Sequence, residues 1–244
     1  MALTAASLTA LQDEARRRLG LALTRRQLEA FAVYGAELLR WNERANLTAI
    51  TDPAGIEIKH FLDSLTIVPY LGTASSGRMV DVGTGAGFPG LPVKIACPGL
   101  RVTLVEATGK KAEFCRHLVA RLDLEGVEVV HARAEEVGQS DEHRQRYDVA
   151  VARAVASLPV LVEYMLPLVR IGGRAIAQKG EGGPAEAQAA EPAIRLLGGR
   201  LQQVAPVELP GVADERYVVI VEKIAATPTG YPRRTGLPSR RPLR

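Results

Sequence analysis

The amino-acid sequence predicts an α/β fold in which a doubly wound, mostly parallel seven-stranded sheet follows an N-terminal helical extension. Three observations lead to this prediction. Residues 1–72 carry apolar side chains at helical spacing. From residue 78 onward, short apolar runs alternate with amphipathic segments, as in right-handed βαβ units. The last two runs are joined only by residues 208–215, which suits an antiparallel pair better than a helical crossover.

The elements are expected in the following order. Ser7 or Thr9 can cap a helix that runs to about Leu19, and Thr24 can cap a longer second helix. A third helix passes through residues 58–65. Strands are expected at residues 78–82, 101–105, 127–130, 148–152, 174–177, 200–207 and 216–222. Helices are expected between them at residues 89–96, 110–122, 157–169 and 184–197.

Charge and composition divide the chain into an extension (1–72), an α/β domain (73–224) and a tail (225–244). The net charge is +4, and the tail alone holds five arginines and no acid. Because the tail is also rich in proline and glycine, we expect it to be flexible, without fixed structure when free.

Several classes of protein are disfavoured. The most apolar stretch, residues 158–168, is too short to span a membrane and contains Glu163. Asp13 and Glu14 near the start argue against a signal peptide. The two cysteines lie in predicted helices, and there is no Cys or His cluster for a metal. We therefore expect a cytoplasmic monomer with neither a metal nor a membrane partner.

The most informative segment is DVGTGAGFPGLP at residues 81–92, directly after the first predicted strand. A Walker-type phosphate loop is excluded, because no Gly-Lys-Ser/Thr follows. A dinucleotide fingerprint stays open, since the run from Gly85 through Gly87 to Gly90 fits GxGxxG and Glu106 lies 21 residues beyond Gly85. That match, however, begins two residues late relative to the strand end.

Charge favours a different ligand for this loop. Asp81 ends the strand, and the loop has no Lys or Arg, so a pyrophosphate would meet a carboxylate without a compensating cation. S-adenosylmethionine has a positive sulfur and no phosphate. Glu106, which ends the second strand, is then placed to accept hydrogen bonds from the ribose hydroxyls.

Two further loops are expected at the same edge of the sheet, because ligands of open parallel sheets bind at the carboxyl ends of strands. Ala134 and Glu135 follow the third strand and could contact adenine, although acidic residues also favour the first turn of a helix. Arg153 follows the fourth strand. It could serve the site directly or pair with Asp81 or another acid as structural support.

The residues after the fourth strand also limit the chemistry. Methyltransferases acting on exocyclic amines place Asn or Asp followed by Pro-Pro and an aromatic residue there, and those acting on cytosine carbon need a nucleophilic Cys. This chain has ARAVA at residues 152–156 and no obvious general base. An acceptor whose lone pair is already available, such as guanine N7, needs neither that motif nor a nucleophilic Cys.

With these motifs, the chain resembles the ribosomal RNA small subunit methyltransferase G family, also called glucose-inhibited division protein B, from about Leu28 to the C-terminus. The strings that carry the resemblance, besides the glycine loop, are NLTAITD (46–52), KHFLDSL (59–65), ARAEE (132–136), VARAVA (151–156), QKG (178–180) and YPRR (231–234). The resemblance implies methyl transfer from S-adenosylmethionine to N7 of one guanine in 16S ribosomal RNA of the small subunit.

The resemblance also assigns residues. The implied cofactor contacts are Gly83, Phe88, Glu106, Ala107, Thr108, Ala134, Glu135 and Arg153. Lys59 and His60 become candidates for contacting RNA or the target base, and we rank them with Arg153 as candidate catalytic residues. The simpler alternative is a solvated helix face with a Lys59–Asp63 pair. Residues 1–24 carry no family inference.

Further RNA contacts are expected at the edges of the crevice and in the tail. Lys179 could contact phosphate or merely form a turn. Arg233 and Arg234 could bind phosphate, with Tyr231 stacking on a base. The alternatives are a methyltransferase of the same fold with another substrate, a dinucleotide-dependent oxidoreductase and a non-enzymatic ribosome assembly factor.

Overall fold

A seven-stranded sheet forms the centre of the computed structural model, which describes residues 3–72 and 76–243. The strands are β1 (Arg78–Val82), β2 (Arg101–Glu106), β3 (Val127–His131), β4 (Tyr147–Arg153), β5 (Val169–Lys179), β6 (Gly199–Val207) and β7 (Arg216–Lys223). Their order is β3-β2-β1-β4-β5-β7-β6. Strands β1 to β5 are parallel, and β7 is antiparallel to both β5 and β6. The predicted fold class is confirmed.

The helices are α1 (Thr9–Leu19), α2 (Arg25–Ala45), α3 (Pro53–Gly55), α4 (Asp63–Leu65), α5 (Gly90–Ala96), α6 (Gly109–Arg121), α7 (Ala134–Gln139), α8 (Leu158–Met165), α9 (Gly183–Leu196) and α10 (Leu237–Arg240). A π-helical stretch, Ile56–Leu62, joins α3 to α4. All the predicted helices are present, although the one expected at residues 157–169 ends at Met165, and α3, α7 and α10 are additional.

The capping predictions have mixed outcomes. Thr24 caps α2 as expected, because its hydroxyl accepts from the Gln27 N–H while the Gln27 side chain accepts from the Thr24 N–H. The prediction that Ser7 or Thr9 caps the first helix is wrong, because Leu8 is at the cap position, although the helix ends at Leu19 as expected. Thr4 caps a short 3₁₀ turn, Ala5–Ser7, and the Ser7 hydroxyl bonds back to Thr4 instead of capping α1.

The strands alternate their side chains between two apolar cores, one on each face of the sheet. Met79, Leu104 and Ile176 point into the first core, which also holds side chains of α1, α2, α5 and α6. Val80 and Val105 point into the second core, against α7, α8 and α9. The N-terminal extension therefore shares the first core with the sheet.

The tail differs from the expectation of a flexible segment, because polar groups of the body hold it. Arg144 donates to the carbonyls of Gly138, Thr227, Pro228 and Tyr231. Glu163, which has no exposed side-chain surface, forms an ion pair with Arg233 at 2.7 Å. Composition alone could not reveal these long-range partners.

Within the described part of the chain, no helix combines the length and apolar character needed to cross a lipid bilayer. The same residues contain no group of three or more His, Cys, Asp or Glu side chains that could hold a metal ion.

Candidate functional site

The candidate site lies at the carboxyl ends of the five parallel strands, β1 to β5. Strand order reverses between β1 and β4, since β2 and β3 lie on one side of β1 and the later strands on the other. Such a switch point leaves a crevice above the strand ends, which is where open α/β sheets bind ligands. The loop after β1 and the residues after β2, β3 and β4 border this crevice.

The glycines of the loop after β1 have different tasks. Gly85 has a φ of +61°, and a Cβ added there would meet nothing within 4 Å, so this side of the loop is open. Gly87 has a φ of +95°, and a Cβ there would lie 2.6 Å from the Tyr34 hydroxyl. Gly83 is covered by Val155. Thus Gly85 lets a ligand approach the backbone, whereas Gly83 and Gly87 allow close packing.

Asp81 lies beneath the glycine loop and is fully buried. Its Oδ2 accepts from the Thr84 hydroxyl at 2.6 Å and from the Gly90 N–H at 2.8 Å, which ties both ends of the loop to β1. Its Oδ1 has no partner. Burial raises the pKa of Asp81 to about 6, although its two hydrogen-bond donors and Arg153 act to lower it. From the sequence we expected this carboxylate beside the ligand. In the structure it lies under the loop and holds both ends of the loop in place.

Glu106 connects the ends of two loops. Its Oε2 accepts from the Gly85 N–H at 2.9 Å and its Oε1 from the Thr108 N–H at 2.7 Å. Each carboxylate oxygen has a further lone pair, so the group can still accept from a ribose hydroxyl. Thr108 is exposed, and the Ala107 carbonyl bonds with His131 Nε2 at 3.2 Å.

Ala134 and Glu135 begin α7 at the same edge of the sheet, as expected, but the Glu135 side chain points elsewhere. It is buried, and its Oε1 accepts from the Gly236 N–H at 2.9 Å. Glu135 therefore anchors the tail beside the loop that was expected to contact adenine.

Phe88 lies in an aromatic stack and not on an open surface. Its ring is stacked with Tyr34, at 5.2 Å between centroids, and with His60, at 4.5 Å. The Arg153 guanidinium lies 4.9 Å from the Phe88 centroid. The Tyr34 hydroxyl also donates to the Ala86 carbonyl at 2.6 Å, so α2 holds the glycine loop directly.

His60 is uncharged at neutral pH. Burial and the neighbouring Arg153 lower the pKa of His60 to about 4. Its Nδ1 lies 3.4 Å from Arg153 Nη2 and its Nε2 lies 2.7 Å from the Thr48 hydroxyl. Because a guanidinium can only donate, Nδ1 is the acceptor and Nε2 carries the proton.

Arg153 is held by the extension. Its Nη1 donates to Asp63 Oδ2 at 2.7 Å and to the Lys59 carbonyl at 3.2 Å. The alternative Lys59–Asp63 pair does not form, because Asp63 is buried against Arg153 and Lys59 is exposed. Ala154, the next residue, has a φ of +56°, a conformation that non-glycine residues seldom adopt.

The other expected RNA contacts divide into bound and free side chains. Lys179 forms an ion pair with Glu186 at 2.8 Å and donates to the Ala156 carbonyl at 2.9 Å. Arg233 is bound to Glu163, so its guanidinium is not open to phosphate. Arg234 is exposed. Among all the expected RNA contacts, Lys59 and Arg234 present their side chains to solvent.

Sequence reasoning missed Asp63, Gln178 and Arg216 as members of the site. Gln178 Nε2 donates to the Asp63 carbonyl at 2.6 Å, and Arg216 Nη1 lies 3.7 Å from Asp63 Oδ1. The available signal was position, since Gln178 precedes Lys179 at the end of β5 and Arg216 begins the antiparallel strand that meets the same edge.

The chain is similar to known proteins over most of its length. The family described as rRNA small subunit methyltransferase G matches residues 27–213. Two relatives named "Ribosomal RNA small subunit methyltransferase G" come from Roseiflexus castenholzii and Roseiflexus sp. They are 55% and 54% identical to this chain over 224 residues, covering 92% of this chain and 95% of each relative.

Among solved structures, a SAM dependent methyltransferase from Aquifex aeolicus superposes with a TM-score of 0.52 at 17% identity. The match covers 69% of this chain and 93% of that chain, and it supports the fold alone. On the strength of the sequence matches, the chain belongs to the rRNA small subunit methyltransferase G family.

Proposed function

We propose that this chain transfers a methyl group from S-adenosylmethionine to N7 of a guanine in 16S ribosomal RNA of the small subunit. The observation that carries this proposal is the crevice at the end of β1. There, an open glycine backbone lies between two buried carboxylates, in a chain 55% identical to a protein named for this class of reaction.

The residues at the crevice fit this cofactor. Gly85 leaves space for close approach, Glu106 has lone pairs for hydroxyl donors, and the loop residues 83–90 contain no cation that would call for a phosphate. Asp81 and Glu106 add negative charge near the loop. When bound, S-adenosylmethionine supplies an electrophilic methyl group on a positively charged sulfur. Gly85, Glu106, Thr108 and Ala134 are the residues we assign to holding it.

The side chains beyond the loop suit an acceptor that needs no deprotonation. Guanine N7 carries a free lone pair, and no proton has to leave when it is methylated. His60 is neutral but engages Arg153 and Thr48 through its two nitrogens, so it is a positioning group. The methylated base is a cation, and the carboxylates of Asp63, Asp81 and Glu106 offset the positive charge at the site.

Exposed basic residues on the same protein supply contacts to RNA. Lys59 lies on the π-helix beside Arg153, and Arg234 lies on the tail. Contacts of this kind add affinity and make it dependent on salt concentration. We propose that the protein acts as a monomer, without a metal ion, on ribosomal particles in the cytoplasm.

The test is to map N7-methylguanosine in 16S ribosomal RNA from cells with and without this protein. The purified protein is then incubated with S-adenosylmethionine and small subunits from the deficient cells. We expect one guanine to lose its methyl group in the deficient cells and to regain it in vitro. Cofactor binding by calorimetry without any methyl transfer would instead indicate an assembly factor.

A further inference from the structure

A cavity of about 230 Å³ lies beside Arg153 at the carboxyl edge of the sheet. It is bordered by the ends of β4 and β5 and by the start of β7. Because β7 is antiparallel to β5, its first residues meet the last residues of β5, and Lys179 pairs with Tyr217. The cavity is smaller than the ~300–1,000 Å³ typical of pockets for drug-sized ligands. Its size suits one base better than a whole nucleotide.

Gln178 and Arg216 both line this cavity, and each has one buried side-chain atom without a hydrogen-bond partner, Gln178 Oε1 and Arg216 Nε. Gln178 is only 7% exposed, and its Nε2 is already bound to the Asp63 carbonyl and to the Thr66 hydroxyl. An unpaired buried donor or acceptor costs about 1–3 kcal/mol. A ligand with one acceptor and one donor would remove both costs.

We propose that this cavity receives the guanine that becomes methylated, with Arg216 Nε donating to O6 and Gln178 Oε1 accepting from N1–H. The inference rests on the proposed function and adds the residues that select the base. O6 and N1–H are neighbours on guanine. Adenine reverses both groups, because it has an amine at position 6 and a lone pair on N1. Its amine would face the donor Arg216 Nε, and its N1 lone pair would face the acceptor Gln178 Oε1.

The two other cations of the cavity leave N7 free. Arg153 is bound to Asp63 at 2.7 Å, and Lys179 is bound to Glu186 at 2.8 Å. Arginine and lysine commonly bind O6 and N7 of guanine together, which would occupy the N7 lone pair. Here the neighbouring carboxylates hold these cations, so the base is selected through O6 and N1–H while N7 keeps its lone pair.

The first experiment uses the wild-type protein and small subunits assembled with RNA that carries an analogue at the mapped guanine. Inosine keeps O6 and N1–H, and we expect its kcat/KM to stay within about threefold of guanine. 2-Aminopurine keeps N7 but lacks O6 and N1–H, and we expect a loss of at least about 100-fold. Equal methylation of 2-aminopurine and guanine would overturn the inference, whereas no methylation of guanine would overturn the proposed function.

The second experiment uses Gln178→Leu, which removes the acceptor, with Gln203→Leu on the exposed face of β6 as its matched control. The preference for guanine over 2-aminopurine should fall from at least about 100-fold to below about 10-fold in the first variant and stay unchanged in the second. Calorimetry with S-adenosylhomocysteine checks that both variants retain the cofactor site. An unchanged preference in Gln178→Leu would contradict the assignment.

Discussion

The Arg153 guanidinium donates to the Asp63 carboxylate across 2.7 Å and joins the end of β4 to the N-terminal extension. The Asp63 side chain is 4% exposed and that of Arg153 13%. Breaking such a pair by removing one partner leaves an uncompensated charge in a poorly solvated position. The pair also orients Arg153 over Phe88 and toward His60.

Asp63→Asn should therefore lower the free energy of unfolding by about 3 kcal/mol. It should also reduce methylation of small subunits at least about 10-fold, because Arg153 and Arg216 lose their shared carboxylate. The control is Glu191→Gln, which breaks an exposed pair with Arg195 and should cost less than about 1 kcal/mol. Urea denaturation measures both variants, and equal costs would contradict the interpretation.

Glycine replacements should separate cofactor binding from loop packing. Gly85→Ala places a methyl group in the open side of the loop, so it should weaken binding of S-adenosylhomocysteine at least about 10-fold. Its cost in stability should be about 1 kcal/mol, since φ is positive there. Gly87→Ala should destabilise the protein more strongly, because its Cβ would collide with Tyr34 and Leu91.

Gly20→Ala serves as the control for these glycine variants. Gly20 ends α1 with a φ of +67° and has nothing within 4 Å of its Cβ position, so the variant shares the backbone cost of Gly85→Ala. Its cofactor affinity should match that of the wild type. If Gly85→Ala binds S-adenosylhomocysteine as tightly as Gly20→Ala does, the loop is not the cofactor cradle.

Asp81 and His60 should make opposite contributions to stability as pH changes. The folded-state pKa of Asp81 is raised to about 6 from 3.8, so its contribution to stability falls as pH rises from about 4 to 6. The pKa of His60 is lowered to about 4 from 6.5, so its contribution rises over about the same range. Each change amounts to about 3 kcal/mol.

Single variants resolve these two contributions. The stability of Asp81→Asn relative to the wild type should increase as pH rises from 4 to 7, and that of His60→Asn should decrease. Guanidinium denaturation at several pH values provides the measurement. Parallel pH profiles for the two variants would rule out the assigned pKa directions.

Neighbouring arginines of the tail should behave differently. Arg233→Ala leaves the buried Glu163 carboxylate without its cation and should lower the free energy of unfolding by about 3 kcal/mol. Arg234→Ala should leave stability unchanged, because the side chain is exposed. It should instead weaken binding to small subunits. The slope of the logarithm of the binding constant against the logarithm of salt concentration should become shallower by the amount due to about one phosphate contact. Similar melting temperatures for the two variants would contradict this division.

Local patterns in the sequence were sufficient to predict the sheet and the glycine loop. Strand alternation and loop lengths depend on neighbouring residues. The predicted strands agree with the observed ones to within one residue at each end, except that β5 begins five residues earlier, at Val169, and ends two residues later. The Asp63–Arg153 pair could not be predicted this way, because its members lie 90 residues apart. Similarly, the walls of the cavity beside Arg153 come from segments far apart in the sequence, among them β5 and β7, which pair side by side.

Glu163 shows that one long-range signal was present and misread. It lies in the most apolar stretch of the chain, where we interpreted it only as a break in a potential membrane span. Acidic side chains are almost never fully buried unless paired, so a glutamate in such a helix indicates a cation elsewhere in the sequence. Here that cation is Arg233, which lies in the segment expected to be flexible.

The hydroxyl of Tyr34, on a helix well upstream of β1, holds the carbonyl of Ala86. A shortened protein beginning at β1 would thus contain every strand, but it would lose this hydrogen bond and the rings of Tyr34 and His60 that cover Phe88. It would also expose to water the part of the first apolar core that α1 and α2 cover, and we expect it to aggregate. Efforts to engineer or inhibit this enzyme should retain the upstream helices, because they hold the loop that we propose binds the cofactor.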